Sequence, residues 1–336
     1  MTLAGRIIGR TMDNYMKDYN RNDQYVAVIG AANIDIGGTP AKPLIPADSN
    51  PGEISITYGG VGRNIAHNLA KLGVPVKLIT AVGGDVLGAD MLRSCESVGM
   101  DVSSVLRIPD RTSSMYLYIN NSSGDMEMAI DHMSIADQIT PEYLDSVRHV
   151  IQGAMAVVAD ANISADAFIH LKSLCRAPLY VDPVSTVLAS KIKPALEGID
   201  TLKPNRLEAE YLTGMTIQTE ADFRAAADAI LNMGVRRVFL SMGSEGMLAA
   251  DKNNMYIVGE YPADVVCTTG AGDSATAAIV WASTVVADRD SLVTAAKAAN
   301  VVAAMTVGVQ ETNNPALTHS AVLDVIVNSN MTVRSL

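Results

Sequence analysis

Val265-Val266-Cys267-Thr268-Thr269-Gly270-Ala271-Gly272-Asp273-Ser274 is an apolar run, a turn of small residues and the first step of a helix. The segment after it, Ala275 to Ala287, is the longest apolar stretch of the chain and is bounded by Asp273 and Asp288. It is too short to cross a bilayer, which takes about 20 apolar residues, and predicts a core helix over 274–287. Small residues at such a helix start leave backbone N–H groups converging on one point, where the helix dipole also favours negative charge. That arrangement is an anion hole suited to charge building on a transferring phosphoryl group. A carboxylate at its mouth is unfavourable beside a bound anion, unless its task is to take a proton from an attacking hydroxyl.

Working outward, the pattern N-terminal to this stretch alternates strand and helix: strand 156–159, helix 165–174, strand 179–182, strand 201–203, helices 207–212 and 220–233, strand 237–241 and a hairpin over 247–260. A last helix pair is expected at about 290–305 and 318–328. Alternation of this kind predicts a mainly parallel sheet covered by helices on both faces. The first strand is Tyr25–Ile29, followed by a polar, Pro/Gly-punctuated stretch from Gly37 to Asn50 and a strand over 53–58. Gly59-Gly60 breaks that strand, a helix begins near Asn64, and Gly73 closes it. Strand 76–81 comes next, with Asp85 as the cap of the following helix. Two strands around Asn120–Asp125 read as a hairpin, and with 53–58 they predict a small sheet separate from the main one. Residues 1–23 are polar and lack the apolar core of a secretory signal, so they read as an extension.

The 336 residues fit one large α/β domain. Hydrophobic residues at 49% against 18% charged supply an ample core, and the aromatic share of 4% suits Val/Ile strands under Ala-rich helices. A net charge of −11, with no Lys/Arg cluster longer than a pair, excludes a surface that tracks nucleic-acid phosphates. Cys95, Cys175 and Cys267 are odd in number and lack metal-ligand spacing, so they read as reduced residues of a cytoplasmic protein. No membrane partner is expected.

Two rival readings of the glycine turn stand beside the first. Asp273 is a plausible helix cap in an ordinary turn. Gly270-x-Gly272-x-x-Ala275 also matches the dinucleotide fingerprint, with Asp290 at about the expected distance. Against the latter, Asp273 would face the pyrophosphate, Asp290 lies in a polar turn, and the motif comes late in the chain. No Gly-Lys pair occurs, which excludes a Walker A loop.

From about residue 25 to 328 the chain resembles the ribokinase, or PfkB-type, family of carbohydrate and nucleoside kinases. Its C-terminal signature, Asp-Thr-x-Gly-Ala-Gly-Asp, appears as residues 267–273, with Cys267 in the place of the first Asp. The resemblance implies a ribokinase-like three-layer fold, with Asp273 as catalytic base and Gly270, Ala271 and Gly272 as the anion hole. Asn33-Ile34-Asp35 and Gly59-Gly60-Val61-Gly62-Arg63-Asn64 match its N-terminal signature. That match implies substrate contacts from Asn33, Asp35, Gly59, Gly60 and Asn64; alone, Asp35 could be a turn residue and Asn64 a helix cap. Asn205-Arg206-Leu207-Glu208 matches the Asn-x-x-Glu stretch, which implies that Glu208 and Asn205 act on Mg²⁺ through water. Ser241, Gly243, Ser244 and Gly246 match the turn near the phosphates and ribose of ATP, and Asn300 falls where the family lines the adenine pocket. Residues 36–58 and 110–131 match the family's β lid, leaving 24–35, 59–109 and 132–336 as the α/β core.

Several stretches resemble the pseudouridine kinase branch, among them Gly59–Ala66, Ala159–Asn162, Val181–Ser185 and Leu202–Glu210. Asn162 then offers donor and acceptor to a base or ribose hydroxyl. The implied reaction is ATP-dependent phosphorylation of a 5′-hydroxyl. The alternatives are a kinase of ribose or another nucleoside such as inosine, and a catalytically silent protein of the same fold that binds a metabolite. Cys267 at the usual acidic position puts a monovalent-cation requirement in doubt. The family's habit of pairing lids implies a homodimer.

Overall fold

Val, Ala and Ile fill every position of strand β1 (Val26–Ile29), so both of its faces need apolar cover. They get it. In the computed structural model, which describes residues 24–123, 125–286 and 291–336, Val26 and Val28 join one core cluster while Ala27 and Ile29 join the other. The proposed extension 1–23, Gly124 of the hairpin turn, and Asp290 of the rival fingerprint lie outside the described residues.

After β1 come β2 (Asn33–Pro40), β3 (Gly52–Gly59), α1 (Val61–Lys71), β4 (Val76–Ile79), β5 (Ala81–Gly83), α2 (Val86–Ser97), β6 (Met100–Asp101), β7 (Leu106–Ile108), β8 (Met115–Asn120) and β9 (Met126–His132). Two short helices, α3 (Pro141–Ser146) and α4 (Arg148–Gly153), lead to β10 (Ala156–Asp160), α5 (Ala165–Leu174), β11 (Leu179–Asp182), α6 (Thr186–Ile192), β12 (Thr201–Leu202), α7 (Arg206–Thr213) and α8 (Glu220–Asn232). The chain continues through β13 (Arg237–Ser241), β14 (Met247–Asp251), β15 (Met255–Val258), α9 (Ala271–Val285), α10 (Leu292–Val307), α11 (His319–Asn328) and β16 (Val333–Ser335).

The main sheet has ten strands in the order β16-β15-β14-β13-β12-β11-β10-β1-β4-β6. All pairs from β6 to β13 are parallel, and β14, β15 and β16 finish the sheet antiparallel. Helices α1, α2, α9, α10 and α11 cover one face, and α3 to α8 the other. This is the ribokinase-like three-layer arrangement. The chain leaves β1 for β4 on one side and returns to β10 on the other, so the sheet has its switch point at β1. Crevices of open α/β sheets form there, beyond the carboxyl ends of the strands.

A separate four-stranded sheet has the order β3-β2-β8-β9. Its register puts Ile54, Ile56, Leu117, Met128 and Ile130 on one face, and Asp35, Gly37, Tyr116 and Tyr118 on the other. The apolar face is buried near Ile34 but open further out, where Ile54 and Ile130 are 78% and 67% exposed.

Three local expectations are corrected. β2 runs from Asn33 through Gly37 and Gly38 to Pro40, where the composition predicts an irregular stretch. Gly37 is compatible with a strand here because the Tyr118 ring occupies the space its side chain would fill. Helix α1 starts at Val61 rather than near Asn64, and α9 at Ala271 rather than Ser274. In both, glycine forms part of the first turn, since the backbone is closely approached there. A Cβ on Gly62 would lie 2.8 Å from the Gly30 Cα. Asn64 and Asp273 are therefore residues within helices and cap neither. The N-cap positions are the glycines Gly60 and Gly270.

Candidate active site

Gly270 begins α9 with φ 83, in the left-handed region that favours glycine, and any side chain there would collide with the Thr312 carbonyl. Ala271 N–H reaches back only weakly, at 3.4 Å, to the Thr268 oxygen. The next first-turn amides have no acceptor within the helix. Asp273 follows in the same turn, and its Oδ2 accepts a hydrogen bond of 2.8 Å from Asn64 Nδ2. The turn near the C-terminus and the glycine motif after β3 thus meet, 209 positions apart in sequence.

The carboxyl ends of three adjacent parallel strands, β10, β11 and β12, converge on this point. Asp160 ends β10 and is fully buried; one oxygen accepts from Ala31 N and Gly62 N at 3.0 and 2.7 Å, and the other from Asn162 N at 2.9 Å. Burial pushes its carboxyl up to about 6, against the pull of those amides. Asp182 ends β11 and accepts from Thr276 Oγ1 at 2.7 Å. Lys203 follows β12, buried, with Nζ 3.4 Å from Asp182 Oδ2 and 3.1 Å from the Gly272 carbonyl to which it donates. Burial lowers the Lys203 ammonium, but Asp182, Glu208 and Asp273 outweigh it and hold the group above its usual value. Asp273 is pushed up to about 7, first by burial and then by the Asp182 charge, with Asn64 and Lys203 opposing. A carboxyl group with that environment exchanges its proton near neutral pH, which suits acid–base work.

Asp273, Gly272, Lys203 and Glu208 line a cavity of about 490 Å³ that runs past Ser241, Gly243, Ser244 and Gly246 to Asn300. Asn205 caps α7: its side chain accepts from Glu208 N at 2.9 Å, while both Glu208 oxygens accept from Asn205 at 2.8 Å. A bridge between Asn205 and Ser241 joins this corner to β13. Gly246, at φ 96, is pinned against the Val258 carbonyl. The Asn300 amide donates to the Val258 and Gly259 carbonyls at 3.0 and 2.9 Å, so it anchors the strand end beside the cavity with its N–H groups already committed.

Asp35 stands on the polar face of the small sheet, over Gly59, with Oδ1 2.5 Å from Asn33 Nδ2. Burial raises its carboxyl to about 6, with Asn33 and Arg63 opposing. Asn33 is itself buried and committed to Asp35. The sequence-predicted residues thus fall into two groups around Asp273. Asn33, Asp35, Gly59, Gly60, Asn64 and Asn162 lie by β1, β2 and β10, while Asn205, Glu208, Ser241, Gly243, Ser244, Gly246 and Asn300 lie by β12 to β15 and α10.

No group of three or more His, Cys, Asp or Glu among the described residues forms a metal site. Glu208 is buried at the cavity wall with its carboxyl raised, by burial first and then by Asp182. This donor set fits a hard cation that arrives with a polyphosphate and keeps its hydration shell, rather than one caged by protein. Asp160, Asp182, Lys203 and Arg63 are members of the site that no motif assigned a role. Their one signal was position: the first three are charged residues at the ends of apolar strands.

The pattern of the pfkB family carbohydrate kinases matches residues 23–319. The chain belongs to that family. This pfkB-family member is an ATP-dependent kinase of the sugar and nucleoside class. Among its relatives, pseudouridine kinase of Escherichia coli K12 is 38% identical over 318 residues, covering 92% of this chain and 98% of its own. The guanosine-inosine kinase of Exiguobacterium acetylicum is 30% identical over 260 residues, covering 76% and 86%. A carbohydrate kinase from Agrobacterium tumefaciens superposes with a TM-score of 0.82 at 26% identity, covering 93% of this chain and all of that one. No helix among the described residues of the kinase is long and apolar enough to cross a membrane.

Proposed function

We propose that this kinase transfers the γ-phosphoryl group of ATP to the 5′-hydroxyl of pseudouridine. The observation that carries the mechanism is the Asn64–Asp273 hydrogen bond, which seats one carboxylate between the cavity toward Asn205 and the polar face that bears Asp35. In this reading ATP occupies the 490 Å³ cavity with its γ-phosphate toward Gly270, Ala271 and Gly272. The nucleoside lies against Asp35, Asn64 and Asn162. Asp273 accepts the O5′ proton as the O5′–Pγ bond forms and the bond from Pγ to the bridging oxygen breaks, releasing ADP. First-turn amides of α9 and the Lys203 ammonium face the charge that develops on the transferred group. Mg²⁺, when bound with ATP, supplies charge neutralisation on the phosphates, and Glu208 and Asn205 would hold it through water. The four-stranded sheet closes over the nucleoside and keeps water from competing as acceptor.

The choice of pseudouridine is supported by the near full-length relative that carries that name. A second reading, a purine nucleoside kinase, is favoured only by the guanosine-inosine relative, which is less similar and covers less of the chain. ADP release measured with pseudouridine, uridine, inosine and ribose separates them. Pseudouridine should give the highest kcat/KM, with phosphate on O5′. A higher value for inosine or ribose would replace the substrate assignment and leave the kinase chemistry in place.

A further inference from the structure

Arg63 is the one strongly basic residue in the first turn of α1, and only 3% of its surface is exposed. Burying a guanidinium is unfavourable unless charge and hydrogen bonds compensate. No carboxylate forms an ion pair with it among the described residues. Its donors go elsewhere: Nε to the Gly59 carbonyl at 3.1 Å, one terminal nitrogen to the Tyr58 carbonyl and, at 3.3 Å, to Asn313 Oδ1. The other terminal nitrogen faces His67 Nδ1 at 3.5 Å. Tyr58 and Gly59 end the strand that joins the small sheet to the α/β body. Asn313 in turn donates to the Asn64 carbonyl at 3.3 Å, one residue after the Thr312 carbonyl that abuts Gly270.

One cation therefore sits where the small sheet, the Asn64–Asp273 pair and the wall of the anion hole adjoin. It feels both Asp35 and Asp273 through space. Each of those carboxylates is driven toward neutrality by burial, yet each must be ionised to work: Asp35 to accept from hydroxyls, Asp273 to accept a proton. We propose that Arg63 is a positioning residue for phosphoryl transfer, which braces the β3–α1 junction and the Asn313 loop around Asn64 and supplies the positive charge that Asp35 and Asp273 share. The inference rests on the kinase reading given above.

The other charged groups around Asp273 are Asp182 on β11, Lys203 after β12 and Asp160 on β10. The titratable groups around Arg63 are Asp35 on β2, Cys95 on α2 and His67 on its own helix. Burial holds the His67 ring near 4, with Arg63 and Lys71 adding to that, so it is neutral across the working range. None of these replaces Arg63 as a cation on the Asp35 side of Asp273.

The test compares kcat, KM and pH profiles of the wild type, Arg63→Met, Arg63→Lys and Asn313→Ala, with thermal melts to verify folding. Arg63→Met should lower kcat about 10- to 100-fold, as misplacement of a reacting group does, and leave the KM for ATP within about threefold. Its acidic limb should move upward by roughly half a pH unit or more, since loss of a nearby cation raises a carboxyl pKa. Arg63→Lys should restore the limb but not the full kcat, because a compact ammonium does not reproduce the planar fork that spans the two backbone carbonyls and Asn313. A folded Arg63→Met enzyme with an unmoved limb and kcat within twofold of wild type overturns the proposal. If that variant does not fold, Asn313→Ala decides: a kcat at least fivefold lower at unchanged melting temperature supports the brace, and a wild-type kcat refutes it. A wild type that phosphorylates none of the panel would instead remove the functional reading itself, before any variant is compared.

Discussion

Asp273→Asn tests the electrostatics of the site separately from its chemistry. The substitution keeps the shape and leaves an oxygen to accept from Asn64, but removes a charge that burial and Asp182 resist. Asp273 moves from an ordinary value of 3.8 to about 7. At about 1.4 kcal/mol per unit, the ionised carboxylate costs the folded state up to roughly 4 kcal/mol. Water in the open cavity screens part of this, so about 1–3 kcal/mol is the expected effect. The sign follows from linkage. Between pH 4 and 7 the folded protein keeps a proton that the unfolded chain has released, so wild-type stability falls as pH rises through that window. Asp273→Asn lacks the penalty and should be more stable than wild type above pH 7, with no difference near pH 3. At ~2.1 cal/mol/K per residue over this chain, 2 kcal/mol corresponds to roughly 3 °C in Tm. Melts at pH 5 and pH 8 would show the gap widening with pH, while turnover falls by about 10²–10⁴, the usual worth of a general base. Wild-type kcat/KM should itself rise through an acidic limb near pH 7. An Asp273→Asn protein that melts below wild type at pH 8 would refute the claim that this carboxylate is held against its own charge.

Three further outcomes follow from the geometry. Cys267 supplies no carboxylate, so replacing K⁺ with tetramethylammonium at constant ionic strength should change kcat by less than about twofold; a steep K⁺ requirement would overturn this. Asp35→Asn should raise the KM for the nucleoside by about tenfold or more, the worth of a charged hydrogen bond, and leave the KM for ATP unchanged; a shift in the ATP value alone would put Asp35 on the wrong side of the site. The outer apolar face of the small sheet, with Ile54, Ile56, Met128 and Ile130 exposed, is proposed to pair with a second copy. Light scattering should find a dimer that Ile56→Glu with Ile130→Glu converts to monomer, and a monomeric wild type would end that assignment.

What the sequence revealed and what it hid have separate physical causes. Buried parallel strands need apolar residues at every position, so β1, β10, β11 and β13 could be read almost to the residue. The starts of α1 and α9 could not, because glycine is a poor helix former and propensity argues against it in a first turn. Tertiary contacts override that argument: Gly62 must let α1 approach β1, and Gly270 must clear Thr312. The same reasoning hid β2, where Gly37 makes room for a tyrosine from the neighbouring strand. Asp273 and Asn64 were legible as candidates because each lies in a dense local motif.

Lys203, Asp182 and Asp160 were not, because they form a site only through strand order. β10, β11 and β12 lie side by side and end at one level, but nothing local to any of the three says so. Arg63 shows the limit most clearly. An arginine on an amphipathic helix ordinarily extends into water, and its burial here depends on Tyr58, Gly59 and Asn313, the last 250 positions away. The local motif could single out Asp273 as the candidate base. Which cation braces Asn64 and lowers Asp35 beside it depends on how β3, α1 and the loop after α10 pack together. The surrounding charges can therefore set the protonation of Asp273, and with it the working pH range, without any change in the motif that marks it.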